Sequence, residues 1–369
     1  MLTKIKNFIR QEMILFLASL LAVCSCIFHR PQLDYIDFDV ICVLLSLMLV
    51  VAGLQSINFL DWIAVELLNI CNSMRRMVLV LLVLTYISSM FVTNDVALLT
   101  FVPLALVIGK ALKIDMERIV VLQTLAANLG SMFTPFGNPQ NLFLYAHYGY
   151  SAGKFLGLMF LPCILSVLYL IFLLFRRQDI PLVLQLKKIS YPKPWILGIY
   201  LSLLFLNIAA VLHLLDKVFA LMITILAVFL INKRLFFKVD YSLLLTFCAF
   251  FVFIGNVSDT SAVEYLKQSM LGSAEGTYFA GLFVSQFISN VPAAMLLAAL
   301  TKEADALLLG VNIGGLGTMI ASMASVISYK LFVAEHPYQA GKYVRTFLYY
   351  NFAGLLFLGI LVYFIMIKE

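Results

Sequence analysis

Asn128-Leu-Gly-Ser-Met-Phe-Thr-Pro-Phe-Gly-Asn-Pro-Gln-Asn141 lies in the middle of a run, 117–147, that is otherwise mostly apolar. A continuous helix over that run would be roughly 46 Å long, against a bilayer core of about 30 Å. The quoted stretch is where such a helix has to break. Pro135 and Pro139 remove backbone donors, and Gly130 and Gly137 free the backbone to turn. Around the break, Asn128, Ser131, Thr134, Asn138, Gln140 and Asn141 add neutral donors and acceptors. The plainer reading is a kinked helix whose polar groups satisfy one another. A run this polar at mid-depth favours a binding site.

Working outward, the chain has 369 residues, 63% hydrophobic and 12% charged. A soluble domain is about half apolar and a quarter charged. The excess lies in long runs such as 156–175, without the in–out alternation of a membrane strand. The pattern predicts an all-α integral membrane protein. Crossing helices are expected at 11–28, 38–56, 117–147, 153–175, 195–213, 217–231, 240–256, 304–334 and 343–367. Two further apolar stretches, 76–112 and 277–301, are interrupted by short polar tips: Thr93-Asn94-Asp95 in the first, Ser289-Asn290 followed by Pro292 in the second. Both read as re-entrant hairpins, since irregular backbone at membrane depth survives only where protein or a wet cavity covers it. The start (Lys4, Lys6, Arg10, then apolar residues) resembles a signal peptide, and it is read as an uncleaved first helix. The six cysteines form no metal-like set and are read as buried, reduced thiols.

Net charge is +6. The basic residues lie between the apolar runs, so they mark the cytoplasmic face rather than a nucleic-acid surface. With the N-terminus inside and each hairpin returning to its own side, 19 of the 25 Lys and Arg fall inside and 6 outside. Loop 176–193 is the richest, with Arg176, Arg177, Lys187, Lys188 and Lys193. Reading 76–112 as two full crossings would put that loop on the wrong face. The C-terminus is then outside, and a bacterial inner membrane is the expected location.

The order of elements repeats. Two helices, an amphipathic segment (58–72), a hairpin, a long helix and a helix recur after 217, with 261–271 as the second amphipathic segment. Gly53 corresponds to Gly255, Asn94 to Asn290, and Asn128-Leu-Gly130-Ser to Asn312-Ile-Gly314-Gly. The second long run breaks at Gly314, Gly315 and Gly317 and carries Asn312, Thr318, Ser322 and Ser325. Three units follow: 1–175, a connecting segment 176–216, and 217–369. An extra helix between the halves makes the repeat inverted, an architecture whose site lies where the halves meet.

Asp95 is the strongest single signal, because the other charged residues fall in loops or at helix ends. A carboxylate at membrane depth is costly unless hydrated, paired or protonated. Low-dielectric surroundings favour its neutral form and a bound cation its charged form, so one such group can couple transport to Na⁺ or H⁺. Its plainer role is capping the second hairpin helix, and the two roles are compatible. Asp95, Asn94 and Asn290 are the candidate Na⁺ ligands, and no other cofactor is expected. No Lys or Arg is expected near the site. A small anionic substrate would therefore be held by helix dipoles, neutral side chains and a co-bound cation. Besides substrate, the lipid bilayer is the expected partner, and nucleic acid is not. A membrane enzyme fits poorly: the chain has no His-Glu-x-x-His, no Gly-x-Ser-x-Gly and no second deep carboxylate.

At Thr93-Asn94-Asp95-Val-Ala-Leu-Leu, Thr134-Pro-Phe-Gly-Asn-Pro-Gln-Asn141, Ser289-Asn290-Val-Pro292 and Asn312-Ile-Gly-Gly315 the chain resembles the ion transporter superfamily. That group includes arsenite permeases, sodium/proton antiporters, and citrate and dicarboxylate carriers. The resemblance covers nearly the whole chain. It implies a scaffold, a moving transport unit and a homodimer working by an elevator motion. The dicarboxylate carriers have Ser-Asn-Thr at both tips, whereas this chain has Thr-Asn-Asp and Ser-Asn-Val. The first tip is closer to the arsenite permease and antiporter pattern. Three transport functions remain open: a cation-coupled anion carrier, a Na⁺/H⁺ antiporter and an arsenite efflux permease.

Overall fold

A computed structural model describes residues 12–27, 29–175, 179–182, 185–257, 260 and 271–368. Lys4, Lys6, Arg10, Arg176, Arg177 and all but the last residue of the second amphipathic segment lie outside the described residues. The described part holds sixteen α-helices and no β-strand. In the first half these are α1 (Met13–Ser25), α2 (Phe38–Ser56), α3 (Phe59–Asn69), α4 (Met74–Val92), α5 (Asn94–Leu112), α6 (Glu117–Ser131), α7 (Pro139–His147) and α8 (Ala152–Phe175). Then come α9 (Pro194–Val211), α10 (Lys217–Asn232), α11 (Tyr241–Val257), α12 (Ala274–Ile288), α13 (Asn290–Ala298), α14 (Ala304–Gly314), α15 (Met323–Glu335) and α16 (Ala340–Val362). The all-α membrane class read from the sequence holds.

Helix starts follow local chemistry. Asp37 accepts from the Val40 amide at 3.0 Å, Asp216 from Phe219 at 2.7 Å and Ser273 from Gly276 at 3.1 Å. Each satisfies a donor that the first helical turn leaves unpaired. Both long runs are broken: α6 and α7 flank residues 132–138, and α14 and α15 flank 315–322. Both hairpins reverse in a single residue, Thr93 or Ser289.

Among the described residues seven helices are long and apolar enough to cross a membrane, and both arms of the first hairpin are among them. Each of those arms has 19 residues, or about 28 Å of helix. Length alone would make them two crossings. The contacts made by the tip argue otherwise: the Asn94 amide donates to Gly137 O at 3.3 Å, and the Asn94 side chain reaches Asn128. The tip therefore abuts the break of α6–α7, not one of its ends.

The packing is crosswise. α1 lies against α11 and α10 against α2; α4 packs on α6 and α12 on α14; α5 packs on α15 and α13 on α7. Close approach at these seams needs glycine. A Cβ at Gly130 would stand 2.2 Å from Tyr86 O, and one at Gly314 would stand 2.8 Å from Gly281 O. These two glycines are helix-packing residues in the described fold. Gly53 and Gly255 are equally tight, against the rings of Tyr200 and Tyr35.

The connecting segment is strapped along the base of the first hairpin. Met74 N donates to Ile180 O at 2.9 Å, Leu182 N to Asn72 O at 3.0 Å, and Leu186 N to Asn69 Oδ1 at 2.7 Å. All six cysteines are free, but the buried reading holds only for Cys71; Cys24 and Cys26 are exposed and the other three are half-buried. Apolar thiols on a lipid-facing helix cost nothing to leave uncovered by protein.

Candidate functional site

The two breaks meet, and one hydrogen-bond pattern is used twice. Asn128, at the end of α6, accepts from Ser322 Oγ at 3.0 Å and donates to Ser325 Oγ at 3.2 Å. Asn312, at the end of α14, accepts from Asn138 Nδ2 at 3.4 Å and donates to Asn141 Oδ1 at 2.7 Å. Asn138 and Ser322 stand just before α7 and α15, and Asn141 and Ser325 lie in their first turns. Each asparagine thus reaches, in the other half of the chain, the residues at the positions that its counterpart reaches in return. All six are buried. An unpaired buried amide costs about 1–3 kcal/mol, so these contacts tie the two breaks to one another.

A second repeated contact fixes each hairpin to its break. Thr134 Oγ1 donates to Met90 O at 2.5 Å, and Thr318 Oγ1 donates to Gln286 O at 2.8 Å. Met90 and Gln286 both lie in the last turn before the tip. Within the first break, Asn141 Nδ2 lies within hydrogen-bonding reach of the carbonyls of Ser131, Met132 and Thr134, at 3.0–3.3 Å. Asn138 Oδ1 caps α7 through the Asn141 amide at 2.9 Å, with Pro139 at the first helical position. Proline there loses no hydrogen bond, because the first amides of a helix have no internal partner. Pro135 lies inside the irregular segment between the half-helices. Gly137 is packed on the Ser131 backbone, where a Cβ would stand 2.2 Å from Ser131 O.

At the tips, Thr93 has φ +74° and ψ 154°, and Ser289 has φ +77° and ψ 154°. This region is close to glycine-only and costs about 1–3 kcal/mol per residue. The strained turn sends the chain straight from one helix into the next, so that α5 and α13 begin at Asn94 and Asn290. Their N-terminal amides and positive dipole ends then face the breaks. Asn94 Nδ2 donates to Asn128 Oδ1 at 3.2 Å. Asn290 is buried against Gly315, whose Cβ would stand 2.8 Å from Asn290 Nδ2, and Pro292 sits in the first turn of α13.

Asp95 is half-buried, but its Oδ1 is fully covered and has no hydrogen-bond partner. It lines a cavity of about 210 Å³ together with Thr93 and Asn138. The cavity is also lined by α2, from Leu44 to Gln55, and by Lys238 and Asp240, which precede α11. Two expectations change here. A lysine does border the site: Lys238 comes from a short 3-10 turn that links α10 to α11, and no sequence spacing announces its approach. Nor is Asp95 the only covered carboxylate. Glu117 is 4% exposed at the start of α6, with Lys342 Nζ 3.5 Å from its Oε2. The amino end of α6 and that lysine make its burial affordable.

The structure gathers Thr93, Asn94, Asp95, Asn128, Ser131, Thr134, Asn138, Asn141, Asn312 and Ser322 around the first tip and the two breaks. Asn290 and Gly315 adjoin them. Gly317 and Thr318 turn away. Gln286 accepts from the Thr318 amide and donates toward Gly314 O and Leu316 O, at 2.8–3.0 Å. Gln286 was missed. Its signal was available: it is a polar residue one turn before a hairpin tip inside an apolar helix.

Broken helices from two halves of a chain, paired inside an apolar bundle, are the architecture of secondary transport proteins. The chain belongs to the citrate transporter family, whose profile matches residues 2–327. It is similar to an uncharacterized transporter of Methanocaldococcus jannaschii, with 33% identity over 86% of this chain and 88% of that one. It is similar to the inner membrane protein YbiR of Escherichia coli, with 28% identity over 80% of each. An uncharacterized transporter of Mycobacterium tuberculosis is 25% identical over 79% of this chain and 78% of its own length. The protein is a membrane transporter of the citrate-carrier type; its family and two of these relatives are described as transporters, not enzymes.

Proposed function

We propose that the protein is a secondary active transporter that moves a small anion, a carboxylate such as citrate or an inorganic oxyanion, coupled to Na⁺ or H⁺. The observation that supports this most is the covered, unpartnered Oδ1 of Asp95 beside the reciprocal asparagine contacts. A carboxylate without a protein partner is stabilised by taking up a cation or a proton. Amides at the starts of α5, α7 and α13 supply the dipole ends that favour an anion nearby. Asp95 is the coupling group in this reading, with Asn94 and Asn290 as further cation ligands.

Alternating access by an elevator-type motion, which the family resemblance implies, is part of the same reading. The hairpins and broken helices form the moving unit, with repeats at 1–175 and 217–369 related by inversion. Residues 176–216 connect them. A homodimer, a cytoplasmic N-terminus and an external C-terminus in a bacterial inner membrane complete the reading. The family description favours the anion carrier over a Na⁺/H⁺ antiporter or an arsenite efflux permease.

A single reconstitution tests it. Purified protein in liposomes is given citrate, succinate or arsenite, under an imposed Na⁺ or H⁺ gradient, with Na⁺/H⁺ exchange read in parallel. The proposal expects gradient-driven uptake of one of the anions. Cation exchange that proceeds with no anion flux would replace it with the antiporter.

A further inference from the structure

We infer that Lys238 is the charge selector at the mouth of the cavity that leads to Asp95, drawing anions to the site from that face of the membrane. This rests on the anion reading above, and it assigns a residue which that reading does not use. Lys217, at the start of α10, pairs with Asp39, at the start of α2, at 2.8 Å, and the two helices pack together. They therefore run parallel, and their far ends, near Ser56 and Asn232, share one face. Lys238 ends the six-residue 3-10 helix that follows Asn232 and packs on α2, and it lines the cavity with Gln55.

The charges around the cavity are few. Most of its wall is aliphatic, and the charged residues on it are Asp95, Lys238 and Asp240. Asp240 caps α11, its Oδ1 accepting from the Leu243 amide at 3.0 Å. Helix amides at that position offset a carboxylate. Lys238 is exposed, and no hydrogen bond or ion pair engages its ammonium among the described residues. A low-dielectric wall focuses the field of such a free charge along the cavity. An anion approaching a site that also holds Asp95 meets repulsion unless something offsets it, and Lys238 is the lysine or arginine placed to do so.

The test reads the potential and the transport separately. Met48, on the α2 wall of the cavity, is replaced by cysteine in a chain whose six native cysteines are alanine. The rates of labelling by an anionic sulfonatoethyl and a cationic trimethylammonioethyl methanethiosulfonate are then compared with and without Lys238→Gln. Removing a unit charge from the same cavity should change the anion-to-cation rate ratio by roughly fivefold or more. Lys238→Arg should leave the ratio unchanged, and 1 M salt should erase most of the difference. An unaltered ratio in Lys238→Gln overturns the inference. In parallel, citrate uptake by the otherwise native chain is measured from each side of the liposome. Lys238→Gln should raise KM about fivefold from one side, with kcat retained; equal KM from both sides would also overturn it. If the labelling ratio shifts and no anion is carried even by the unaltered protein, the proposed function falls and the selector stands.

Discussion

At the first tip Thr93 turns the chain, and at the second Ser289 does so with nearly the same φ and ψ. In both halves a threonine within the break clamps the last turn of the hairpin, and an asparagine reaches across to the other half. The backbone is thus repeated while the chemistry is not. Asp95 follows Asn94, but Val291 follows Asn290, 8% exposed and apolar. The first hairpin has arms of 19 residues each, and the second has arms of 15 and 9. The first borders a cavity lined by charged residues; at the second, Gln286 bonds the backbone of the break at Gly314 O and Leu316 O. Both breaks are tied to one another by the same hydrogen-bond pattern, whereas a carboxylate follows the asparagine at only one tip.

The hardest test of that asymmetry is to remove the charge. Asp95→Asn is expected to abolish gradient-coupled uptake in liposomes, a loss of at least about a hundredfold, while the protein elutes and melts as before. Val291→Asp in that background should not restore coupling, because Val291 does not line the cavity that Asp95 lines. Restored coupling would mean that the halves are interchangeable.

Asn94→Ala and Asn290→Ala come next. Each should weaken anion binding about tenfold, measured as the apparent affinity for the transported anion, if the two tips share the site. A variant that keeps full affinity removes its half from the site.

Stability distinguishes the seams. Gly130→Ala should cost about 3 kcal/mol and Gly314→Ala about 2 kcal/mol, because the first Cβ would meet a carbonyl 2.2 Å away and the second 2.8 Å away. Thermal melting in detergent, read by fluorescence, would rank them; the reverse order would show that the second seam is the more rigid one. The smallest effects belong to the clamps. Thr134→Val and Thr318→Val each lose one hydrogen bond, worth about 1 kcal/mol, and near-equal drops in melting temperature are expected.

The sequence by itself determined the membrane, the helices, the two tips and the two breaks. Those features are local: apolar length sets a span, and proline, glycine and polar clusters stop a helix wherever it is placed. Helix 38–56 begins and ends where its pattern says, since Asp37 caps it from within the chain's own next turn. The reciprocal reach of Asn128 and Asn312 was decided only by tertiary structure. So were the outward turn of Gly317 and Thr318 onto Gln286 and the approach of Lys238 to Asp95's cavity. Each depends on partners far apart along the chain. Hydrophobic periodicity says that a residue is covered, but only packing decides which distant polar group covers it.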